Sequence, residues 1–366
     1  MEIKTSRPAR DIIVYQPGKP VEELERELGL TDSIKVASNE NPLGPSPKAL
    51  EAARGALGGI HRYPDGGGFY LKRALAEFHG LTPEHFTLGN GTNEVLENIA
   101  HAFLNPDDPV IISEGAFIVY LIVSQLSECE IRKAPMRDYA HDLDAMAGLV
   151  CDRTKAVFIA NPNNPTGTAV EEAALRKFIE GLPGHTLAVV DEAYFQYAHR
   201  EDYPDTSKMI AQYPNVVTLR TFSKVYGLAG LRVGYGIARP ELAEIVNKVR
   251  EPFNVNSLAL AGAEAALGDE EHVRRTVSVN AEGREYFVRE LARLGIPFVP
   301  TQGNFMMAEV GEGMETYEAL LREGVIVRPV GGYGFPNHVR ISIGTPEENQ
   351  RVIEALSAVL DNRRGE

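Results

Sequence analysis

Cysteine is scarce in this sequence. Cys129 and Cys151 are the only two in 366 residues, too few for a disulfide framework and not at metal-ligand spacing, so a reducing cytoplasm is expected and no metal is. Basic charge is short as well. The 37 Lys and Arg face 51 Asp and Glu, giving a net charge of -14 and a pI near 5.2, the opposite of the basic stripe that nucleic-acid readers carry. Long apolar runs are missing too: the longest, Ala116 to Val123, is far too short to span a bilayer. No apolar signal core follows Met1 to Arg7, and there is no internal repeat or low-complexity segment. Neither a nucleic-acid nor a membrane partner is therefore expected. What remains, 43% hydrophobic and 24% charged residues, is an ordinary globular composition, long enough for about two domains.

The pattern of elements is α/β. After an arm over residues 1–32, with a short amphipathic helix carrying Leu24 and Leu28 on one face, Ile34-Lys35-Val36-Ala37 reads as a strand. From Phe86 onward apolar strands alternate with helical segments: strands near 110–112, 155–160, 187–190 and 216–220, with helices over 116–126 and 171–181 between them. That alternation predicts a mostly parallel sheet with helices on both faces. A large domain is expected over 33–252 and a smaller C-terminal α+β domain over 253–366. In the latter, Thr345-Pro346-Glu347-Glu348 has a capping threonine, a proline at the first helical position and a glutamate three residues on.

Four loops could carry chemistry, since ligands of such sheets lie beyond the carboxyl ends of the strands. In the first, Gly89-Asn90-Gly91-Thr92-Asn93 leads from a strand into a helix, and free N–H groups at a helix start attract anions. Alone this is weak, for many such turns bind nothing. The second is Asn161-Pro162-Asn163-Asn164-Pro165-Thr166-Gly167. In the third, Asp191 ends the strand 187–190; an acid there needs a partner, and a neighbouring arginine is the plain candidate. Lys224 follows the strand 216–220 inside Ser223-Lys224-Val225-Tyr226-Gly227-Leu228-Ala229-Gly230-Leu231-Arg232. A desolvated amine is a nucleophile toward carbonyls, although a lone loop lysine is most often simply solvated.

What singles out Lys224 is that its segment, with the upstream loops in the same order, resembles the fold-type I aminotransferases dependent on pyridoxal 5'-phosphate. The resemblance runs from Asn39 to Thr345. It implies that Lys224 is the covalent anchor of that cofactor and moves the proton in the reaction. Asp191 is then the carboxylate facing the pyridine nitrogen, and Asn161 and Tyr194 are the pair on the ring oxygen. The helix start Gly91-Thr92-Asn93, with Thr221, Ser223 and Arg232, is implied to hold the phosphate, and Phe117 to stack on the ring where many relatives have tyrosine. Tyr63 is implied to reach the neighbouring subunit's cofactor phosphate, which would make the protein a homodimer with shared sites.

Within that fold type, Asn39-Glu40-Asn41-Pro42, Val327-Arg328-Pro329 and Val339-Arg340-Ile341-Ser342-Ile343-Gly344-Thr345 resemble the histidinol-phosphate aminotransferases. The activity this implies is transfer of the amino group of L-histidinol phosphate to 2-oxoglutarate, in histidine biosynthesis. Arg340 would take the substrate's anionic group. Arg328 would supply a second cation for a phosphate, and Tyr15, Asn39 and Asn41 neutral donors that close the site. The alternatives are an aromatic amino-acid aminotransferase, a lyase with the same cofactor such as an amino-acid phosphate decarboxylase, and a non-catalytic regulator, for which the thirty residues before the core leave no room for a DNA-reading domain.

Overall fold

The computed structural model describes residues 5–12, 14 and 18–364. A seven-stranded sheet forms its centre, in the order Phe86–Gly89, Gly234–Ile237, Val216–Thr221, Leu187–Asp191, Ala156–Ala160, Pro109–Ser113, Glu130–Ala134. Gly234–Ile237 is antiparallel to both neighbours, and all other pairs are parallel. The expected parallel strands are therefore present. The reversed strand, Gly-Tyr-Gly-Ile, is not among the strands expected from the sequence, because two of its four residues are glycine, which strands disfavour. Its glycines serve close packing, for a Cβ at Gly236 would meet Thr87 Cγ2 at 2.8 Å.

Two apolar layers cover the sheet, and the period-2 alternation of strand side chains sorts residues between them. Val157, Ile159, Ala188 and Val190 face one layer with Leu71, Leu75 and Phe222. Phe158, Val189, Val217 and Leu219 face the other with Val95, Leu96 and Ile99. Because the strand Ala156–Ala160 is buried on both sides, every position of it is apolar.

A second unit is built on the antiparallel sheet Phe298–Val299, Phe305–Glu309, His338–Ser342, Arg328–Pro329. Its core joins Phe287 and Leu291 of the 25-residue helix Glu270–Leu294 to Met306, Ile341 and Leu356. The closing helix begins as its capping residues require: Glu348 N–H donates to Thr345 Oγ1 (3.2 Å) and Thr345 N–H to Glu348 Oε2 (2.8 Å).

Packing departs from the expected division in two places. Ile34–Lys35 pairs in parallel with Val325–Ile326, and Val36 enters the core of the second unit. The helix Ser257–Leu267, beyond the expected boundary at 252, buries Ala259, Ala263 and Ala266 in the first. The chain thus crosses between the units near both ends of the large one. In the arm, Val21–Leu28 is helical, but only Leu24 of the expected pair is buried; Leu28 is 46% exposed, because the helix stops there at the left-handed Gly29. Among the described residues no helix is long and apolar enough to cross a membrane, and no group of His, Cys, Asp and Glu could hold a metal ion.

Candidate active site

At the carboxyl ends of the parallel strands lies a cavity of about 270 Å³, lined by residues of both units. Lys224 lines it, three residues past the strand Val216–Thr221. Its Nζ donates to the Ser38 carbonyl at 3.2 Å and stands 5.7 Å from the Tyr194 ring centroid. Burial, and then the charge of Arg340, lower its pKa to about 8, while Glu40 pulls the other way. The amine is thus held near the point where neutral and charged forms coexist at physiological pH, which suits a nucleophile or a proton carrier.

Asp191 forms part of the same cavity and is 5% exposed. The expected arginine is not its partner: the Tyr120 hydroxyl donates to Asp191 Oδ2 at 2.9 Å and the Ala193 N–H to Oδ1 at 3.1 Å. Arg220 instead bonds Glu192 (2.8 Å) and Asp205 (2.6 Å). Successive residues of an extended chain point to opposite faces, which separates Asp191 from the cation that Glu192 takes. With only neutral donors, burial pushes the Asp191 carboxyl up to about 6. A cationic ring nitrogen opposite it would offset that cost.

Asn161 requires correction. Its side chain is fully buried and spent on one backbone segment, with Oδ1 accepting from Val170 N–H (2.9 Å) and Nδ2 donating to Val170 O (3.3 Å). It does not line the cavity; Asn164 of the same loop does. The run holds three asparagines, and only the path of the loop decides which one faces inward. Tyr194 lines the cavity, with its hydroxyl accepting from Asn39 Nδ2 at 2.9 Å.

The anion cradle comes together around the start of the helix Thr92–Phe103. Thr92, Asn93, Thr221, Ser223 and Arg232 all line the cavity. Gly91 caps the helix at φ +80°, and a Cβ there would lie 2.3 Å from Arg232 Nη2, so the absent side chain is what lets the guanidinium close over the helix start. Arg232 Nη1 is steered by Ser223 Oγ (3.4 Å) and the Ala229 carbonyl (3.2 Å). Backbone N–H groups, three hydroxyls and a guanidinium around one point suit a phosphate ester. Phe117, just before the helix Ile118–Leu126, is a wall of the cavity and meets Tyr120 edge-on at 5.7 Å. The donor set therefore fits pyridoxal 5'-phosphate.

From the second unit, Arg328 and Arg340 enter the cavity as direct cross-strand partners. Arg340 is buried, donates to Asn164 Oδ1 and the Ala37 carbonyl, and lies 5.4 Å from the Phe305 ring centroid. Asn39 also lines the cavity, held by Ser342 Oγ (2.9 Å). Asn41 does not, and the expectation of a substrate donor there is corrected. Its amide donates to Val225 O (2.8 Å) and Thr276 Oγ1 (3.1 Å) and accepts from Leu43 N–H (3.0 Å), so it ties the loop down. Tyr15 lies outside the described residues. Tyr63 is absent from the cavity of its own chain; it is 82% exposed and stacked on Phe253 at 4.8 Å. Sequence reasoning missed Tyr120, Asn164 and Tyr333 as cavity residues. For Tyr120 a signal existed, since it lies three residues after Phe117 on a helical face.

Residues 31–356 match the model of the family described as aminotransferase class I and II. The chain belongs to that family. It is 48% identical over 351 residues to histidinol-phosphate aminotransferase 1 of Nitrosococcus oceani, covering 96% of this chain and 95% of that one. It is 51% identical over 349 residues to histidinol-phosphate aminotransferase 2 of Pseudomonas fluorescens strain Pf-5, covering 94% of each. Among solved structures, the histidinol-phosphate aminotransferase of Sinorhizobium meliloti in complex with pyridoxal-5'-phosphate superposes with a TM-score of 0.90 at 28% identity, over 99% of both chains. The aminotransferase's fold is thus the fold-type I one expected of it.

Proposed function

We propose that this aminotransferase uses pyridoxal 5'-phosphate to convert L-histidinol phosphate and 2-oxoglutarate into imidazole acetol phosphate and L-glutamate, a cytoplasmic step of histidine biosynthesis. The observation that carries the substrate class is the pair Arg328 and Arg340, opposite each other in register and both lining the cavity that holds Lys224. A single carboxylate needs one guanidinium. A phosphate monoester carries roughly 1.5 to 2 negative charges at pH 7 and matches two.

When bound, the cofactor supplies a carbonyl that takes up the amino group and a ring that accepts the electron pair of the broken C–H bond. The chain's residues do the rest. Lys224 Nζ would anchor the cofactor and, once released, would carry the proton off the amino-bearing carbon. Asp191 would hold a proton on the ring nitrogen, with Tyr120 fixing its orientation. Asn164 and Tyr194 would bond the ring oxygen, Phe117 would cover the ring, and the helix start at Thr92 with Thr221, Ser223 and Arg232 would hold the phosphate. Tyr63, exposed and remote from its own cavity, is assigned to the site of a second copy in a homodimer. Steady-state kinetics with histidinol phosphate, phenylalanine and O-phosphothreonine test the reading. The highest specificity constant is expected for histidinol phosphate with glutamate as product; carbon dioxide release from O-phosphothreonine, or a higher constant for phenylalanine, overturns it.

A further inference from the structure

Four cations line the cavity, Lys224, Arg232, Arg328 and Arg340, against two carboxylates, Asp191 and Glu40. Asp191 is buried and bonded to Tyr120 and Ala193. Glu40 is different in kind: its residue is exposed, and its carboxylate has no hydrogen bond or ion pair among the described residues. Its backbone is nonetheless fixed. Asn304 Nδ2 donates to the Glu40 carbonyl at 3.3 Å, Asn39 on one side is held by Ser342 and Tyr194, and Asn41 on the other by Val225 and Thr276. Within the cavity Glu40 acts on Lys224 through its charge without a hydrogen bond to it, so an acid with its hydrogen-bonding capacity unused sits on a pinned loop of a cationic cavity and invites a ligand.

We propose that Glu40 selects the imidazole end of the amino donor, an inference that rests on the substrate reading above. Both anionic groups that enter the cavity have cationic partners elsewhere, the cofactor's phosphate at Arg232 and the substrate's at Arg328 and Arg340. A carboxylate in the same cavity would repel either one. The imidazole ring is the part of the donor that carries an N–H donor and gains a positive charge near pH 6.5, so it is the part a carboxylate attracts. Glutamate, the product amino acid, has a second carboxylate in place of that ring. Glu40 therefore favours the imidazole donor and disfavours glutamate, biasing the two half-reactions in opposite directions.

The test is single-turnover kinetics of the holoenzyme with histidinol phosphate and with glutamate, for wild type, Glu40→Gln and Glu40→Asp. Glu40→Gln should lower the ratio of the two specificity constants roughly tenfold, as expected for loss of one charge-assisted bond, with glutamate unchanged or improved. Glu40→Asp, which keeps the charge, should retain more of the ratio than Gln does. As a readout without turnover, histidinol phosphate should bind more weakly to Lys224→Ala/Glu40→Gln than to Lys224→Ala in calorimetric titration. An unchanged ratio, or equal losses for both donors, overturns the inference and leaves the substrate reading standing. A wild-type enzyme inert toward histidinol phosphate overturns the substrate reading itself and this inference with it.

Discussion

Replacing Arg328 with alanine separates a phosphate site from a carboxylate site. Arg340 is committed by its surroundings: Asn164 Oδ1 and the Ala37 carbonyl accept from it, and the Phe305 ring lies beneath it. It stays in place when its half-buried strand partner is truncated. A carboxylate donor such as phenylalanine keeps its one guanidinium in Arg328→Ala, whereas histidinol phosphate loses one of two. A hydrogen bond to a charged group contributes about 1.5–3 kcal/mol, so the specificity constant for histidinol phosphate should fall about 10- to 150-fold. Phenylalanine should change far less. The assay is the ratio of the two constants in wild type, Arg328→Ala and Arg328→Gln, with thermal unfolding to confirm that the variants are folded. Arg340→Ala, by contrast, should impair every donor. If the ratio does not fall in Arg328→Ala, Arg328 is no phosphate ligand, and the aromatic aminotransferase reading takes first place.

Asp191→Asn should trade function for stability. Burial raises the folded pKa from 3.8 to about 6, so the proton's contribution to stability is present below pH 4 and is lost as pH rises through 6. The apoprotein of the variant should exceed wild type by on the order of 2–3 kcal/mol at pH 7.5 and by nothing near pH 4, with turnover lost; denaturant unfolding at the two pH values would contradict this if the difference were the same at both. Gly91→Ala places a Cβ against Arg232 at a left-handed φ, and the cofactor should dissociate at least about tenfold more readily, as loss of a charged contact predicts; unchanged affinity in a spectral titration would remove Arg232 from the cradle. Lys224→Ala should abolish covalent retention of the cofactor after borohydride reduction, and a reduced adduct mapped to another lysine contradicts the anchor. Mixing inactive Lys224→Ala with inactive Tyr63→Ala protein should restore one site per mixed dimer; no recovery despite subunit exchange seen by native mass spectrometry would mean that Tyr63 does not act across an interface.

The order of strands and helices and the loops at their carboxyl ends were legible in the sequence because each depends on local pattern. Apolar runs bounded by glycine and proline mark buried strands wherever the chain takes them, and the residues after a parallel strand must face its carboxyl edge. The strand-end rule pointed to the loops, the resemblance of their motifs singled out Thr92, Asn93, Asp191, Tyr194, Thr221, Ser223, Lys224 and Arg232 within them, and all of these line the cavity. Tertiary structure decided what depends on the path of a loop or on a contact between distant segments. It chose Asn164 over Asn161, because Val170 consumes one amide and leaves the other facing the cavity. It gave Asp191 a tyrosine and sent Arg220 to Glu192, since neighbouring side chains of a strand leave on opposite faces. It paired Ile34–Lys35 with Val325–Ile326 and brought Arg328 and Arg340 into register. No local pattern encodes such pairings: they arise when segments far apart in the chain bury their apolar faces in one core, and the polar groups at the boundary must then find partners there.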